Sequence, residues 1–376
     1  MPADLLTLFL CGDVMLGRGI DQILPHPGDP TLREAYVRDA RTYVELAERV
    51  NGPIPRPVDS GWPWGDAMPI LDELRPDARI VNLETSITRS DEFEPGKAVH
   101  YRMAPANIHC LTAAQPDVCA LANNHVLDFG RRGLAETLDT LAGSELPAAG
   151  AGRDTDQAQR PVVVPVAGGG KRVLVFALGM PSSGIPPGWA AAADRSGIDL
   201  VPAPTSAAAA GITGRIAAVK RPGDVVVASI HWGSNWGYAV SAEQVAFAHA
   251  LVDGGVDIVH GHSSHHPRPV EVHRGKLILY GCGDFIDDYE GITGHQEYRD
   301  DLRLMYFVTV DPVDGTLARA TMVPMQSRQL RLRHATAADT AWLCAFVDRI
   351  SRDHGTRIEP GPDGVLTVRS APAVRT

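Results

Sequence analysis

Short runs of apolar, β-rich residues recur along this chain, and each run ends in polar residues. The runs are continuous rather than alternating, which is typical of strands buried on both faces. Seven of them lie at residues 5–13, 78–84, 117–125, 172–179, 224–233, 257–265 and 276–285. Three intervening segments carry apolar residues at helical spacing, namely residues 105–115, 133–145 and 241–255. This order predicts an α/β domain with a largely parallel, buried core sheet.

Two segments depart from this pattern. Residues 26–68 indicate an insertion, part helical and part proline-rich loop, that would form a lid or a substrate wall. After residue 330 the pattern changes: residues 335–355 predict an amphipathic helix, and residues 356–370 predict a hairpin around Asp363 and Gly364. We therefore expect a main domain over residues 1–330 and a small α+β appendage over residues 331–376.

The composition narrows the class of protein. The chain has 376 residues, 44% of them hydrophobic, and a formal net charge of −10. No Lys/Arg-rich block is present, so nucleic-acid binding is not expected. Five cysteines without a CxxC motif disfavour a disulfide framework or a zinc ribbon and favour a reducing compartment. No apolar run approaches the roughly 18 residues of a membrane span, and the apolar N-terminus is interpreted as a first strand rather than a signal peptide. These features predict a cytoplasmic protein without a membrane partner.

The polar residues at the strand ends are candidate metal ligands. They are Asp13, Asn82, Glu84, Asn124, His125, His231, His262 and His265. Taken singly, such a histidine is usually a hydrogen-bonded strand end, Asn124 would tie a turn and Asp13 would cap a helix. Together they point to one site, because ligands of open α/β sheets bind outside the carboxyl ends of the strands. Carboxylate, imidazole and amide donors suit Mn²⁺, Fe²⁺ or Zn²⁺ better than Ca²⁺, and we favour Mn²⁺ or Zn²⁺, as one ion or two.

Seven motifs in order resemble the CapA-type polyglutamate capsule family. They are GDVMLGR (12–18), NLE (82–84), YRMAP (101–105), LANNHVLDFG (121–130), GAGRD (150–154), HWG (231–233) and the segment 261–285. The family is similar to the calcineurin-like metallophosphoesterases, so the resemblance implies an α/β fold in which a β-sandwich is flanked by helices. It also implies metal ligation by Asp13, Glu84, Asn124, His125, His231, His262 and His265, with Glu84 bridging if there are two ions.

Three departures from the superfamily pattern bear on the reaction. The usual Asp-x-His of the first strand is here Asp13-Val-Met15, and the GHxH element is spaced as Gly-His-Ser-Ser-His. The family's GNF after the last strand is GDF, which places Asp284 near the site. A missing histidine favours a single ion or a weak second one and disfavours phosphate ester hydrolysis.

One group that resembles this family epimerises a peptide, and this predicts a metal-dependent epimerase acting on the C-terminal residue of a ribosomal precursor peptide. A metal on the free carboxylate would stabilise the charge formed when the Cα proton leaves. Inversion needs a proton carrier on each face of Cα. His295 is the candidate on one face, and Asp13, Asp284 or Cys11 is the candidate on the other. As alternatives, His295 would be a histidine of a solvent-exposed loop without a catalytic role, and Cys11 would be a small buried strand residue.

Other residues are candidates for binding the substrate. They are Arg18, Asn82, Trp232 and Trp236. Arg18 could instead form a structural salt bridge, and the two tryptophans could be packing residues. Two other functions remain open: a metal-dependent hydrolase of phosphate esters or of γ-glutamyl and other amide bonds, and a carboxylate-binding protein of polyglutamate biosynthesis.

Overall fold

A computed structural model describes residues 5–167 and 170–370. The outermost parts of the two predicted domains, residues 1–4 and 371–376, lie outside the described residues. The strands are β1 Leu6–Val14, β2 Ala78–Leu83, β3 Ser86–Ile87, β4 Arg102–Met103, β5 Val118–Ala120, β6 Ala148–Ala149, β7 Ala151–Gly152, β8 Val162–Pro165, β9 Arg172–Gly179, β10 Gly197–Ile198, β11 Val225–His231, β12 Ile258–His262, β13 Val270–His273, β14 Lys276–Leu279, β15 Asp284–Ile286, β16 Leu302–Val310, β17 Leu317–Ser327, β18 Leu332–His334, β19 Thr356–Pro360 and β20 Leu366–Ser370. The α-helices are α1 Gly19–Ile23, α2 Arg41–Asn51, α3 Ala67–Leu74, α4 His109–Thr112, α5 Gly130–Gly143, α6 Thr155–Gln159, α7 Ser206–Val219, α8 Ala242–Asp253 and α9 Ala337–Ser351.

Two large sheets hold most of these strands. The larger has the order β19-β20-β17-β16-β1-β2-β5-β6, with β15 beside β1 and β18 beside β17. The smaller has the order β13-β14-β12-β11-β9-β8. In each sheet a parallel half, β1-β2-β5-β6 or β9-β11-β12-β14, continues into antiparallel strands.

The two sheets pack face to face, with helices outside the smaller one. Val173 and Val175 of β9 share an apolar cluster with Leu8 of β1 and Ile80 of β2. The alternate residues of β9, Leu174, Phe176 and Leu178, instead join a cluster with residues of α7 and α8. Since both faces of β9 are buried, its continuous apolar run is explained. The expected α/β sandwich flanked by helices is confirmed, whereas the single, largely parallel sheet expected from periodicity is replaced by two mixed sheets.

Several predicted elements are found with shifted ends. Helix α8 begins after Ser241, whose side chain and that of Gln244 form a capping box. The predicted helix at 105–115 is a 3-10 turn followed by the short α4. The predicted strand at 276–285 is two strands, β14 and β15, which belong to different sheets.

The C-terminal segment forms the predicted helix and hairpin, α9 and β19–β20. Strand β20 pairs with β17, so the hairpin extends the larger sheet. All five cysteines lie in the described part of the chain and are buried, and none is in a disulfide. No helix among the described residues has the length and apolarity to cross a bilayer.

The insertion at 26–68 contains α2 and packs beside the end of β1. Glu34 accepts a hydrogen bond from Arg18 at 2.9 Å, and Val58 donates from its backbone to Ile23 at 2.9 Å.

Strand β1 approaches the chain before β15 so closely that a Cβ on Gly12 would lie 1.7 Å from the carbonyl oxygen of Gly283. Only glycine fits at position 12, and this contact brings the next residue, Asp13, beside Asp284.

Candidate metal centre

The donors predicted from strand ends come together from both sheets. Asp13 lies in β1, Glu84 follows β2, Asn124 and His125 follow β5, and His231 and His262 are the last residues of β11 and β12. His231 and His262 are partners in the parallel register of β11 and β12. The site therefore sits at the carboxyl ends of the parallel halves of the sheets, where ligands of such sheets bind.

His231, His262 and Asp13 form the first half of the cluster. Nδ1 of His231 lies 2.8 Å from Nδ1 of His262, and the latter lies 3.8 Å from Oδ1 of Asp13. One ligand atom of each residue lies within 4.8 Å of the others, and all three residues are buried. Two imidazole nitrogens at this distance either share a proton or direct lone pairs at a common cation.

Glu84 joins this group to a second set of donors. Its Oε1 lies 3.7 Å from Nε2 of His125 and 3.7 Å from Nε2 of His231. Nε2 of His231 also lies 3.0 Å from the amide oxygen of Asn124. Oε2 of Glu84 is buried and has no hydrogen-bond partner among the described residues. A buried carboxylate oxygen without a donor is costly, so a cation at this point would satisfy it.

The charges of the cluster also call for a cation. Burial and the neighbouring charge of Asp284 raise the pKa of Asp13 to about 7. Burial and the charge of Asp13 raise the pKa of Glu84 well above its usual value. Burial lowers the pKa of His231 and of His262 well below the usual value, so both imidazoles are neutral and can ligate. These oxygen and nitrogen donors fit a divalent cation such as Mn²⁺, Fe²⁺ or Zn²⁺.

Asp128 orients the ring of His125 by contacting its Nδ1. Its Oδ2 lies 2.6 Å from Nδ1 of His125 and accepts from the backbone N–H of Tyr101 at 2.7 Å, while Oδ1 accepts from the Lys97 ammonium. Burial alone would raise the pKa of Asp128, but the charges of His125 and Lys97 lower it. A carboxylate on one nitrogen fixes the tautomer and leaves Nε2 to face Glu84. The sequence analysis assigned Asp128 no role; the signal was a carboxylate three residues after the candidate ligand.

Replacing Asp128 by Asn is expected to weaken metal binding by about 10–100-fold, because the partner that orients a ligating histidine is worth that much. The dissociation constant for Mn²⁺ or Zn²⁺, measured by competition with a chelator, checks this. Asp139→Asn is the matched control, because Asp139 only forms a surface ion pair with Arg153. Equal affinities of Asp128→Asn and the control would contradict the orienting role.

Further side chains that the sequence analysis missed support His262 and Asp13. Ser229 Oγ lies 2.9 Å from Nε2 of His262 and 3.1 Å from Nδ1 of His260, whose Nε2 in turn lies 2.7 Å from the carbonyl oxygen of Cys11. The backbone N–H of Ser263 donates to Oδ2 of Asp13 at 3.1 Å, from a left-handed conformation with φ 101°. These bonds leave Nδ1 of His262 turned toward Asp13 and His231.

His265 is held beside the cluster by Asp284. Its Nδ1 lies 3.0 Å from Oδ1 of Asp284, and its Nε2 lies 3.0 Å from the amide nitrogen of Asn235. Burial lowers the pKa of His265, whereas the charge of Asp284 raises it, and the net shift is upward. Because both ring nitrogens are engaged, the predicted ligation by His265 would require one of these bonds to break.

An aromatic rim lies next to this pair. The rings of Trp236 and His295 stack with centroids 3.8 Å apart, and the ring of Trp236 lies 5.1 Å from that of His265. Trp236 and His295 are both half-buried. The structure thus places His295 one aromatic ring away from His265, at the edge of the site. The position that the superfamily pattern gives to a histidine, Met15, is buried and accepts a hydrogen bond from Tyr289.

Arg18 and Asn82 are engaged within the protein, and their role in substrate binding stays a prediction. Arg18 donates to Asp288 from Nε at 2.9 Å and to Glu34 from a terminal nitrogen at 2.9 Å, and its guanidinium covers the ring of Tyr43. These contacts agree with the alternative of a structural salt bridge. Asn82 is buried and donates to Oδ1 of Asp13 at 2.7 Å, so it positions a ligand.

Cys11 and Trp232 lie in the core, which agrees with the alternatives of a small buried strand residue and a packing residue. Cys11 is fully buried and belongs to the apolar cluster between the sheets, and burial raises the pKa of its thiol well above the usual value. Trp232 packs with Phe247 and Tyr280 on the helix-covered face of the smaller sheet, and its Nε1 donates to the carbonyl oxygen of Tyr280 at 3.0 Å.

Comparisons with known proteins agree with the resemblance. Residues 7–289 match the family described as bacterial capsule synthesis protein PGA_cap. A probable polyglutamine synthesis accessory protein from Mycobacterium tuberculosis (strain ATCC 25618 / H37Rv) is 53% identical over 97% of this chain and 96% of its own. The PGA biosynthesis protein CapA of Bacillus subtilis (strain 168) is 26% identical, over 87% of this chain and 76% of its own.

A solved phosphatase structure from Mycoplasma pneumoniae has a TM-score of 0.45 at 13% identity, covering 86% of this chain and 94% of that one. This similarity is too distant to bear on the reaction. The family match covers most of the chain, and the M. tuberculosis relative matches nearly all of it. The chain therefore belongs to the PGA_cap family of bacterial capsule synthesis proteins.

Proposed function

We propose that this protein is a metal-dependent hydrolase that cleaves an amide bond in a glutamyl or glutaminyl peptide or polymer. The observation that carries the proposal is the position of Glu84, between His125 and His231 and with a buried oxygen that a cation would satisfy. Asp13, Glu84, Asn124, His125, His231 and His262 would hold one or two divalent ions. Such an ion supplies a Lewis acid that polarises the scissile carbonyl and lowers the pKa of water.

The protein's own residues supply proton transfer beside that cluster. The Asp284–His265 pair favours the protonated imidazole, so His265 can hold a proton next to the reacting bond and give it to the leaving amine. Because an imidazolium donates from both nitrogens, Asn235 would present its amide oxygen rather than its nitrogen to Nε2 in that state. The half-buried ring of Trp236 would form a wall along which the substrate chain lies.

The substrate class rests on the relatives and on charge. The M. tuberculosis relative is named for polyglutamine synthesis and the B. subtilis relative for PGA biosynthesis. This chain has a net charge of −10, so an anionic glutamyl substrate would need a local positive charge, which a divalent ion at the cluster supplies. The absence of a histidine at Met15 favours an amide over a phosphate ester. The cytoplasmic location and the peptide partner stay predictions.

Epimerisation at the C-terminal residue of a peptide is the second candidate. The position of His295 favours it, because its ring lies at the rim of the site, stacked on Trp236. The same metal cluster would bind the substrate carboxylate, and His295 would exchange the Cα proton from one face. The outcomes of the two reactions differ: hydrolysis breaks the chain, whereas epimerisation leaves its mass unchanged in H₂O.

The test incubates the metal-free full-length chain with Mn²⁺ or Zn²⁺ and three separate probes: a γ-linked glutamate oligomer, an α-linked glutamine oligomer and p-nitrophenyl phosphate. We expect new amino termini and shortened oligomers from at least one peptide probe, with loss of turnover in a chelator. Deuterium uptake without cleavage in D₂O would support epimerisation instead. Binding of the oligomers without turnover under either metal would overturn both enzymatic proposals, and release of phosphate alone would overturn the amide substrate.

A further inference from the structure

A second group of metal-binding side chains lies away from the candidate metal centre. It is built by three elements: helix α8, edge strand β13 and the 3-10 turn Arg352–His354 after α9. It consists of His249 from α8, Glu271 and His273 from β13, and His354 from the turn. Glu271 and His273 are two residues apart on a strand and so point to the same side. None of these residues contributes to the first cluster.

The contacts within this group are those of a ligand set. Nε2 of His249 lies 2.8 Å from Oε1 of Glu271, and Nδ1 of His354 lies 3.7 Å from Oε2 of Glu271. One ligand atom from each of His249, Glu271 and His273 lies within 4.8 Å of the others. Their side chains are between 11% and 30% exposed, so an ion could enter from solvent.

The carboxylate is oriented as metal ligands usually are. The hydroxyl of Tyr280 donates to Oε2 of Glu271 at 2.6 Å, and this bond is buried. Oε1 of Glu271 faces His249, and Oε2 faces both Tyr280 and His354. A buried partner that fixes a carboxylate in this way is typical of the outer contacts of metal sites.

The half-buried imidazoles of His249 and His273 are arranged in a way that a cation would explain. The rings of His249 and His273 stack with centroids 3.7 Å apart and an angle of 7° between their planes. This stacking brings a ring nitrogen of each histidine within 4.8 Å of the other. A nearby acid, Asp253, contacts both Nε2 of His273 and the Arg274 guanidinium at 3.1 Å, so His273 would give up that contact or ligate through Nδ1.

We propose that His249, Glu271 and His273, with His354 as a fourth donor, bind a transition-metal ion of the Zn²⁺ class. Three imidazoles and one carboxylate are a suitable four-coordinate set for Zn²⁺. Because the stacked rings are nearly parallel, one of them turns about its side-chain torsions to share the ion. The ion links α8, β13 and the turn after α9, and thereby fastens the C-terminal helix to the smaller sheet.

The test counts Zn²⁺ equivalents on the metal-free full-length chain by competition with a chromophoric chelator. The wild type is compared with His249→Gln/His273→Gln and with a matched control, His109→Gln/His334→Gln, which removes two exposed histidines elsewhere. We expect the first variant to bind one equivalent fewer than both the wild type and the control. Equal stoichiometry in all three proteins would overturn the proposal.

A second measurement keeps the test decisive if the double variant does not fold. In the background of His231→Gln/His262→Gln, which disables the first cluster, we expect one equivalent of Zn²⁺ to remain and to disappear on adding His273→Gln alone. If no equivalent remains in that background, the second site does not exist. Hydrolase activity does not enter either measurement, so failure here is distinguishable from failure of the proposed function.

Discussion

Replacing Glu84 by Gln is expected to abolish metal retention and to lower turnover by more than about 100-fold, since even the outer partners of metal ligands are worth about 10–100-fold. Glutamine keeps the shape and one carbonyl oxygen but loses the charge and the second ligating oxygen. Glu84 is the residue that faces both His125 and His231, so its loss separates the two halves of the donor set. Metal per chain, by elemental analysis, and the rate on the oligomer that the wild type cleaves are the measurements.

The same substitution is expected to stabilise the metal-free protein. The pKa of Glu84 is raised in the folded state, so the fold favours the neutral acid and loses stability as the pH rises above the ordinary value of 4.5. Glutamine has no proton to lose, so the variant avoids this loss. In a chelator, the free energy of unfolding of Glu84→Gln should exceed that of the wild type at pH 8, and the difference should shrink toward pH 4.

Glu73→Gln is the matched control, because Glu73 is an exposed glutamate of α3. It should leave metal content, turnover and the pH dependence of stability unchanged. Full metal content and full turnover in Glu84→Gln would show that Glu84 is not the joining ligand. Loss of turnover with full metal content would instead move Glu84 from metal binding to contact with the substrate.

The metal donors could be predicted from the sequence because they follow the strand pattern. Asp13, His231 and His262 each stand at the end of an apolar run, and the polar residue is conspicuous there. The sequence does not show which apolar runs form strands of the larger sheet and which form strands of the smaller one. A strand buried against a second sheet and one buried against helices are both continuously apolar, so β1 and β11 look alike. The convergence of both sheets on Glu84 is a consequence of tertiary packing.

The roles that the sequence left open have a related cause. In a strand buried on both faces, hydrophobicity does not tell which residues point toward the site. Cys11 and Asp13 are two residues apart, but the pairing of β1 with β2 shifts register between Leu10 and Asp13, and the Cys11 side chain joins the core. The two roles of Arg18 stayed open in the sequence because its partners, Asp288 and Glu34, are brought to it only by the fold. Asp128 was overlooked because a carboxylate in a turn has many ordinary uses, and only its 2.6 Å contact with His125 reveals this one.

Truncating the two tryptophans of the HWGSNWG segment is expected to destabilise the protein by different amounts. Trp232→Ala removes a side chain that is 1% exposed and packed against Phe247 and Tyr280. Such a change leaves a cavity and costs about 3–5 kcal/mol. Trp236→Ala removes a half-buried ring stacked on His295, which costs about 1 kcal/mol. Urea unfolding of both variants, followed by circular dichroism, gives the two free energies of unfolding.

The kinetic effects are expected in the reverse order. Trp236 lies at the rim beside His265, so its truncation should raise KM for the oligomer substrate with a smaller change in kcat, because uniform binding is lost. A conservative Trp232→Phe variant, which keeps most of the core volume, should leave KM unchanged. If Trp232→Phe raised KM and Trp236→Ala did not, the substrate would lie against the other tryptophan. The smaller sheet would then have to open at Tyr280, since the indole of Trp232 donates there to a backbone carbonyl in the closed core.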